Sequence, residues 1–178
     1  MDIIFNPKKI KVIAGLGNPG NDHKDTYHNI GRMFLYHMME DREAKDLSTY
    51  KKFAYTKKGK IIFMRPETFM NTSGAGLKEG LSYFKLKPEQ FLIVHDDTDI
   101  PLGSFKLSFG RGPAGHKGVE SVIRSFKTKN FWRVRVGIRT DYDKKKRKKA
   151  MDLVLAKIGK KEEKTLINVF KEIEALFT

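Results

Sequence analysis

The chain has 178 residues, 39% of them hydrophobic, enough for one domain with its own core and too few for two ordinary ones. It has no cysteine, which excludes disulfides and thiolate metal sites. Its net charge of +15, from 36 Lys plus Arg against 21 Asp plus Glu, favours a polyanionic partner, although a lysine-rich source would leave the same balance.

The first residues, M-D-I-I-F-N-P-K-K-I, lack the basic-then-apolar layout of a signal segment. No apolar run nears the roughly 20 residues that span a bilayer. Both points predict a cytoplasmic protein with no membrane partner. Ile10 to Ala14 reads as a buried strand. Ile30, Met33, Phe34, His37 and Met38 recur at helical spacing, so a helix follows the first loop. Phe53 to Thr56 and Ile61 to Met64 read as paired strands around a turn at Gly59. Leu77, Leu81 and Phe84 mark a second helix, and Phe91 to Val94 a short buried strand. Phe105, Leu107 and Phe109 alternate as a half-exposed strand, and Val119, Val122, Ile123 and Phe126 give a third helix. In F-W-R-V-R-V-G-I, from Phe131, the residues Trp132, Val134, Val136 and Ile138 share one face. The run Lys144 to Lys149 reads as a solvated loop or helix start rather than a dedicated phosphate contact. A last helical stripe joins Leu166, Val169, Phe170, Ile173 and Phe177. No repeat interrupts this order. Strands alternating with helices predict an α/β fold: one three-layer αβα domain over 1–178, with a twisted mixed, mainly parallel sheet.

G-L-G-N-P-G, residues 15 to 20, follows the first strand and fits the G-x-G-x-x-G of dinucleotide turns. The details point away from NAD. Pro19 removes a backbone donor inside the pattern, and a polar stretch of nine residues separates Gly20 from the helix that would face a pyrophosphate. Glu40 and Asp41 lie at the distance expected for the ribose-binding acid, but at a helix end. A tight turn is the better reading. Two further polar clusters follow strands: F-M-N-T-S-G at 69 to 74 and H-D-D-T-D-I-P-L-G at 95 to 103. Three such loops can meet in one cleft at the carboxyl ends of the strands.

These blocks resemble the bacterial-type peptidyl-tRNA hydrolases. The resemblance rests on G-L-G-N-P-G…T-Y-H-N-I-G at 15 to 31, on the two clusters at 69 to 74 and 95 to 103, on G-R-G-P-A-G-H-K-G at 110 to 118, and on F-W-R-V-R-V-G-I at 131 to 138. Their order and spacing match, and together they cover nearly the whole chain. The resemblance implies hydrolysis of the ester joining a peptide, or another N-blocked aminoacyl group, to the 3′ end of tRNA. It implies no metal, no cofactor, and a monomer acting on tRNA. A homologue that binds RNA without turnover is the alternative; the presence of Asn18, His28, Asn71 and Asp96 speaks against it.

The resemblance implies that His28 is the general base, and imidazole is the side chain whose ordinary pKa lies nearest neutrality. Without it, His28 reads as a residue that starts a helix. Asp96 resembles the carboxylate that holds this imidazole in its basic form. Asp96, Asp97 and Asp99 offer a rival reading as a Mg²⁺ site, which is weaker because adjacent acids on a strand point to alternate faces. Asn18 resembles the residue that tells blocked from free aminoacyl groups, since an amide can donate to a peptide carbonyl while a free ammonium offers no acceptor. Asn71 resembles the residue that orients substrate and water, with Phe69 and Met70 on the same wall; helix capping is its structural reading. Ser73 lacks the G-x-S-x-G elbow of a nucleophile. Lys106, Arg133 and Arg135 match or adjoin basic positions that hold tRNA phosphate, and the two arginines are expected to share an outward strand face. Against the family pattern, a tyrosine of the substrate-binding region is His23 here, an arginine is Tyr27, an asparagine is Lys117 and a second clamp lysine is Ser108. Lys117 is expected to contact a phosphate or hydroxyl near the tRNA 3′ end.

Overall fold

The computed structural model describes residues 3–40, 47–140 and 149–177. Asp41 and most of the basic run, Lys144 to Lys148, lie outside the described residues. Seven strands form one sheet: β1 (Val12–Gly15), β2 (Ser48–Tyr50), β3 (Phe53–Lys58), β4 (Ile61–Pro66), β5 (Phe91–Pro101), β6 (Phe105–Phe109) and β7 (Trp132–Arg139). Their order across the sheet is β2-β3-β4-β1-β5-β7-β6. The four central strands run parallel, β1 against β4 and β5, and β5 against β7. Both margins are antiparallel, with β2 and β3 on one side and β6 on the other.

Helices cover both faces, which is why the central strands read as continuous apolar runs. On one face, α1 (Ile30–Met39) and a C-terminal α5 (Lys160–Glu174) pack Phe34, Leu166 and Phe170 against Ile13, Leu92 and Val134. On the other, α2 (Ser73–Tyr83) and α3 (Lys117–Phe126) pack Leu77, Val119 and Val122 against Val12, Ala14 and Ile93. Neighbouring residues of β1 and β5 thus serve opposite cores, as the two-residue period of a strand requires. A short helix, α4 (Ala150–Val154), sits beside the 3-10 turn Tyr27–Asn29 and β5.

Two expectations need correcting. The polar segment after Val94 is not a loop: β5 continues to Pro101, because β7 supplies partners as far as Asp97, with a register shift before Pro101. Backbone pairing there overrides a side-chain pattern that has lost its alternation. Arg133 shares a face with Arg135 but is not exposed there; it is buried beneath the Gly110–Gly115 turn, and its Nη2 donates to the Gly112 carbonyl at 3.0 Å. β2 and α4 are also additions, since three exposed residues and a five-residue helix leave no periodicity to read.

The glycines at 15 to 20 serve packing rather than a cofactor turn. A side chain at Gly15 would strike the Gly31 carbonyl at the start of α1, so the pair lets helix and strand approach closely. Gly20 has φ +95, a conformation that favours glycine, and it bends the chain after Pro19.

Candidate active site

Three segments converge where the central strands end: the loop after β1, the loop after β4, and the polar half of β5. With the turn before α3 and one side of α4 they enclose a cleft of about 500 Å³, lined by Asn18, His28, Asn71, Asp96, His116 and Lys117 among others. The sequence placed five of these six in a site; it passed over His116.

At the centre is a buried carboxylate shared by two imidazoles. Asp96 is 1% exposed. His28 Nδ1 lies 2.9 Å from its Oδ1 and 3.1 Å from its Oδ2, and His116 Nε2 lies 3.0 Å from Oδ1. The proton positions follow from the partners. His116 caps α3: its Nδ1 accepts from the Gly118 and Val119 amides at 3.1 and 3.2 Å. That nitrogen therefore carries a lone pair, and Nε2 carries the proton it donates to Asp96. His28 Nδ1–H is the second donor, so in its neutral form the ring carries its lone pair on Nε2. Burial by itself would raise the Asp96 carboxyl, but the charge and hydrogen bond of His116, then those of His28, outweigh it and hold the group well below the usual carboxylate range. Asp96 is thus an anion that aligns both imidazoles.

The same three ligand atoms lie within 4.8 Å of one another, close enough to converge on a cation. Such a cation would have to displace the His116 Nε2 proton, because the helix cap keeps Nδ1 as the acceptor. His95 lies just behind. Its Nδ1–H donates to the Asp96 carbonyl at 2.7 Å, and burial, then the charges of His116 and Arg133, pushes its pKa well down. The consecutive acid Asp97 faces the other way, its Oδ2 2.7 Å from Arg135 Nε, and its Oδ1 accepts the Asp99 amide at 2.9 Å. These acids do not converge as a Mg²⁺ site would require.

The two asparagines sit on neighbouring loops. Asn18 Oδ1 accepts the Met70 amide at 2.8 Å, which ties the loop after β1 to the loop after β4 and leaves Asn18 Nδ2 as its remaining polar atom. Asn71 is exposed in the 3-10 turn Met70–Thr72 that leads into α2. Phe69, 60% exposed, stands at the rim, Met70 is buried, and Met151 and Leu155 add exposed apolar surface on the α4 side. Ser73 is fully buried, with its hydroxyl 3.4 Å from the Phe69 carbonyl. Lys117 is exposed at the first turn of α3, 3.5 Å from Glu120.

Lys106 and Arg135 are not in the cleft. They face each other across β6 and β7 in a separate groove that also holds Arg111 and Arg133. Ser108 lies opposite Arg133 and is buried. Burial, and then the charge of Arg135, lowers the Arg133 pKa to about 10. Ala114 borders both groove and cleft, so the turn from Gly110 to Gly115 is the wall between them. His23 lines neither; it lies in the 3-10 turn Asn21–His23, where its carbonyl accepts from Thr26. Tyr27 is part of the core.

His116 was legible in part. A histidine just before a helical stripe is a candidate cap, but nothing in the sequence says that it and His28, 88 positions apart, share one carboxylate.

A family model described as peptidyl-tRNA hydrolase matches residues 12–178. The chain is 38% identical over 168 residues to a peptidyl-tRNA hydrolase of Aquifex aeolicus (strain VF5), covering 92% of this chain and 85% of that protein. Against one from Marinobacter nauticus it is 35% identical over 170 residues, with 92% and 85% covered. Its fold is similar to a crystal structure of peptidyl-tRNA hydrolase from Acinetobacter baumannii, with a TM-score of 0.76 and 25% identity over 95% of this chain and 89% of that one.

Proposed function

We propose, for a chain that belongs to the peptidyl-tRNA hydrolase family and hydrolyses the ester between a peptide and tRNA, a mechanism with His28 as general base. The observation that carries it is the bond from His28 Nδ1 to ionised Asp96, which leaves the Nε2 lone pair free for a water in the cleft. As that water attacks the ester carbonyl carbon, Nε2 takes its proton and the carbonyl oxygen becomes an oxyanion. Asp96 stays ionised and stabilises the imidazolium. When the oxyanion collapses, the bond to the ribose 3′ oxygen breaks and the imidazolium returns its proton to that oxygen. The products are a peptide carboxylic acid, which then loses its proton to water, and tRNA with a free 3′ hydroxyl.

The other cleft residues take positioning parts. Asn18 has only Nδ2 left to offer, so it donates to a substrate carbonyl, which suits an N-blocked group and gives a free ammonium nothing to bond. Asn71 orients water and ester, and Phe69 and Met70 form the adjoining wall. Lys106 and Arg135 hold a tRNA phosphate in their own groove, Lys117 meets the RNA near its 3′ end, and His23 extends this contact at the margin. Salt should weaken such binding steeply. The chain acts as one domain over 1–178, as a monomer, in the cytoplasm. No helix among the described residues is long and apolar enough to cross a membrane.

Release of N-acetyl-aminoacyl groups from tRNA, measured with EDTA present, tests the proposal. The parent should remain active, and His28→Ala should lose about 10²–10⁴-fold in rate while still binding tRNA. Loss of activity in EDTA would favour the cation reading of the three ligand atoms. A His28→Ala protein near parental rate would remove His28 as the base.

A further inference from the structure

Asn29 adjoins the proposed base and stands at the N-cap of α1, a place where asparagine normally bonds the first free helix amides. Its side chain makes no such bond. It turns to Asn18 instead. Asn29 Oδ1 accepts the Asn18 backbone amide at 2.7 Å, and Asn29 Nδ2 donates to the Asn18 carbonyl at 2.9 Å. One planar amide thus grips the same residue through both its backbone groups. Its orientation is unambiguous, since an amide N–H requires an acceptor and a carbonyl a donor. Gly17 makes the approach possible: a Cβ there would lie 2.9 Å from Asn29 Oδ1. Asn29 is 3% exposed.

We propose that Asn29 is a positioning residue that sets which atom of Asn18 faces the substrate, and thereby the preference for N-blocked groups. With both backbone groups of Asn18 held, the direction of its Cα–Cβ bond is set. The Met70 amide then takes Asn18 Oδ1, so that Nδ2 alone is presented. One turn along α1, Arg32 supports the same frame: its Nε donates to the Gly17 carbonyl at 3.2 Å and its Nη2 to the Pro66 carbonyl at the end of β4. The start of one helix thus aligns the two loops that carry Asn18 and Asn71. Without Asn29, the Asn18 backbone can rotate, and its amide can present oxygen as readily as nitrogen. A presented oxygen accepts from a free ammonium, and discrimination is lost.

This inference rests on Asn18 reading the substrate, so the experiment separates the two. Release is measured from N-acetyl-aminoacyl-tRNA and from aminoacyl-tRNA for the parent, Asn29→Ala, the near-isosteric Asn29→Asp, Asn18→Ala and the double Asn18→Ala/Asn29→Ala, with thermal melts of each. Both Asn29 variants should lose roughly tenfold to a hundredfold in kcat on the blocked substrate, with KM nearly unchanged. The blocked-to-free rate ratio should fall towards that of Asn18→Ala. The double variant should be no slower than Asn18→Ala, because a frame with nothing to hold costs nothing more. A purely structural role would slow both substrates alike and add to the Asn18 loss. Either of those results overturns the assignment of Asn29. A parent that does not discriminate, or an Asn18→Ala protein that discriminates as well as the parent, overturns the reading of Asn18 instead; the coupling in the double variant still decides whether Asn29 acts through it.

Discussion

Replacing Asp96 by asparagine should leave the shape of the site and invert the proton on its base. In the parent the carboxylate takes one proton from His28 Nδ1 and one from His116 Nε2. His116 cannot change tautomer cheaply, because its Nδ1 caps α3 through two amides. The new side chain must therefore keep its oxygen towards His116. Its NH2 then occupies the Oδ2 position, 3.1 Å from His28 Nδ1 in the parent. There the NH2 opposes the His28 Nδ1–H, which keeps only the Oδ1 it shares with His116; His28 relieves the conflict by moving its proton to Nε2, the atom that should accept from water. The expected loss is that of a misprotonated base, about 10²–10⁴-fold in kcat, or roughly 3–5 kcal/mol of barrier. Folding should change far less, because removal of a buried charge offsets the lost charge-assisted bonds. Single-turnover release of N-acetyl-aminoacyl groups measures the rate, and ¹⁵N shifts of the His28 ring report the tautomer. Titration of wild-type Asp96 should not shape the rate: its folded value lies below the ordinary one, near 4, so the ion persists above that and is lost only as pH falls through the folded value. An Asp96→Asn protein within fivefold of the parent, or one whose His28 keeps its proton on Nδ1, would refute the reasoning.

Buried His95 stays neutral well below its ordinary pKa, while the unfolded chain protonates it near 6.5. The unfolded state then binds the extra proton, so stability is full above about pH 6.5 and falls below it by up to about 1.4 kcal/mol per unit. Urea melts of His95→Asn between pH 6.5 and 5 should show a flatter dependence than the parent, and equal slopes would count against this. Lys117 pairs with Glu120 only at an exposed site, where such pairs contribute little, so a phosphate can take it at small cost. Lys117→Ala should weaken tRNA binding and flatten its salt slope by about one unit, whereas unchanged affinity and slope would make it a bystander.

Much of this protein is written locally. The strand runs K-V-I-A, F-L-I-V and W-R-V-R-V-G-I, and the stripes of α1, α3 and α5, follow from two periods that any stretch of ten residues displays, and the α/β layering follows from their alternation. His28, Asp96, Asn18 and Asn71 were legible because each falls within a distinctive motif. Tertiary structure decided what depends on partners distant in the chain. β5 runs on through H-D-D-T-D because β7 pairs with it, although the segment alone reads as a loop. Arg133 kept the face that alternation predicted but lost its exposure, because the turn at Gly112 covers it. His116 meets Asp96 only because the α3 cap holds its ring in place, and Asn29 gives its side chain to Asn18 rather than to its own helix. A hydrogen bond needs its two atoms within about 3 Å, and no sequence spacing encodes that distance until the sheet has brought the strand ends together.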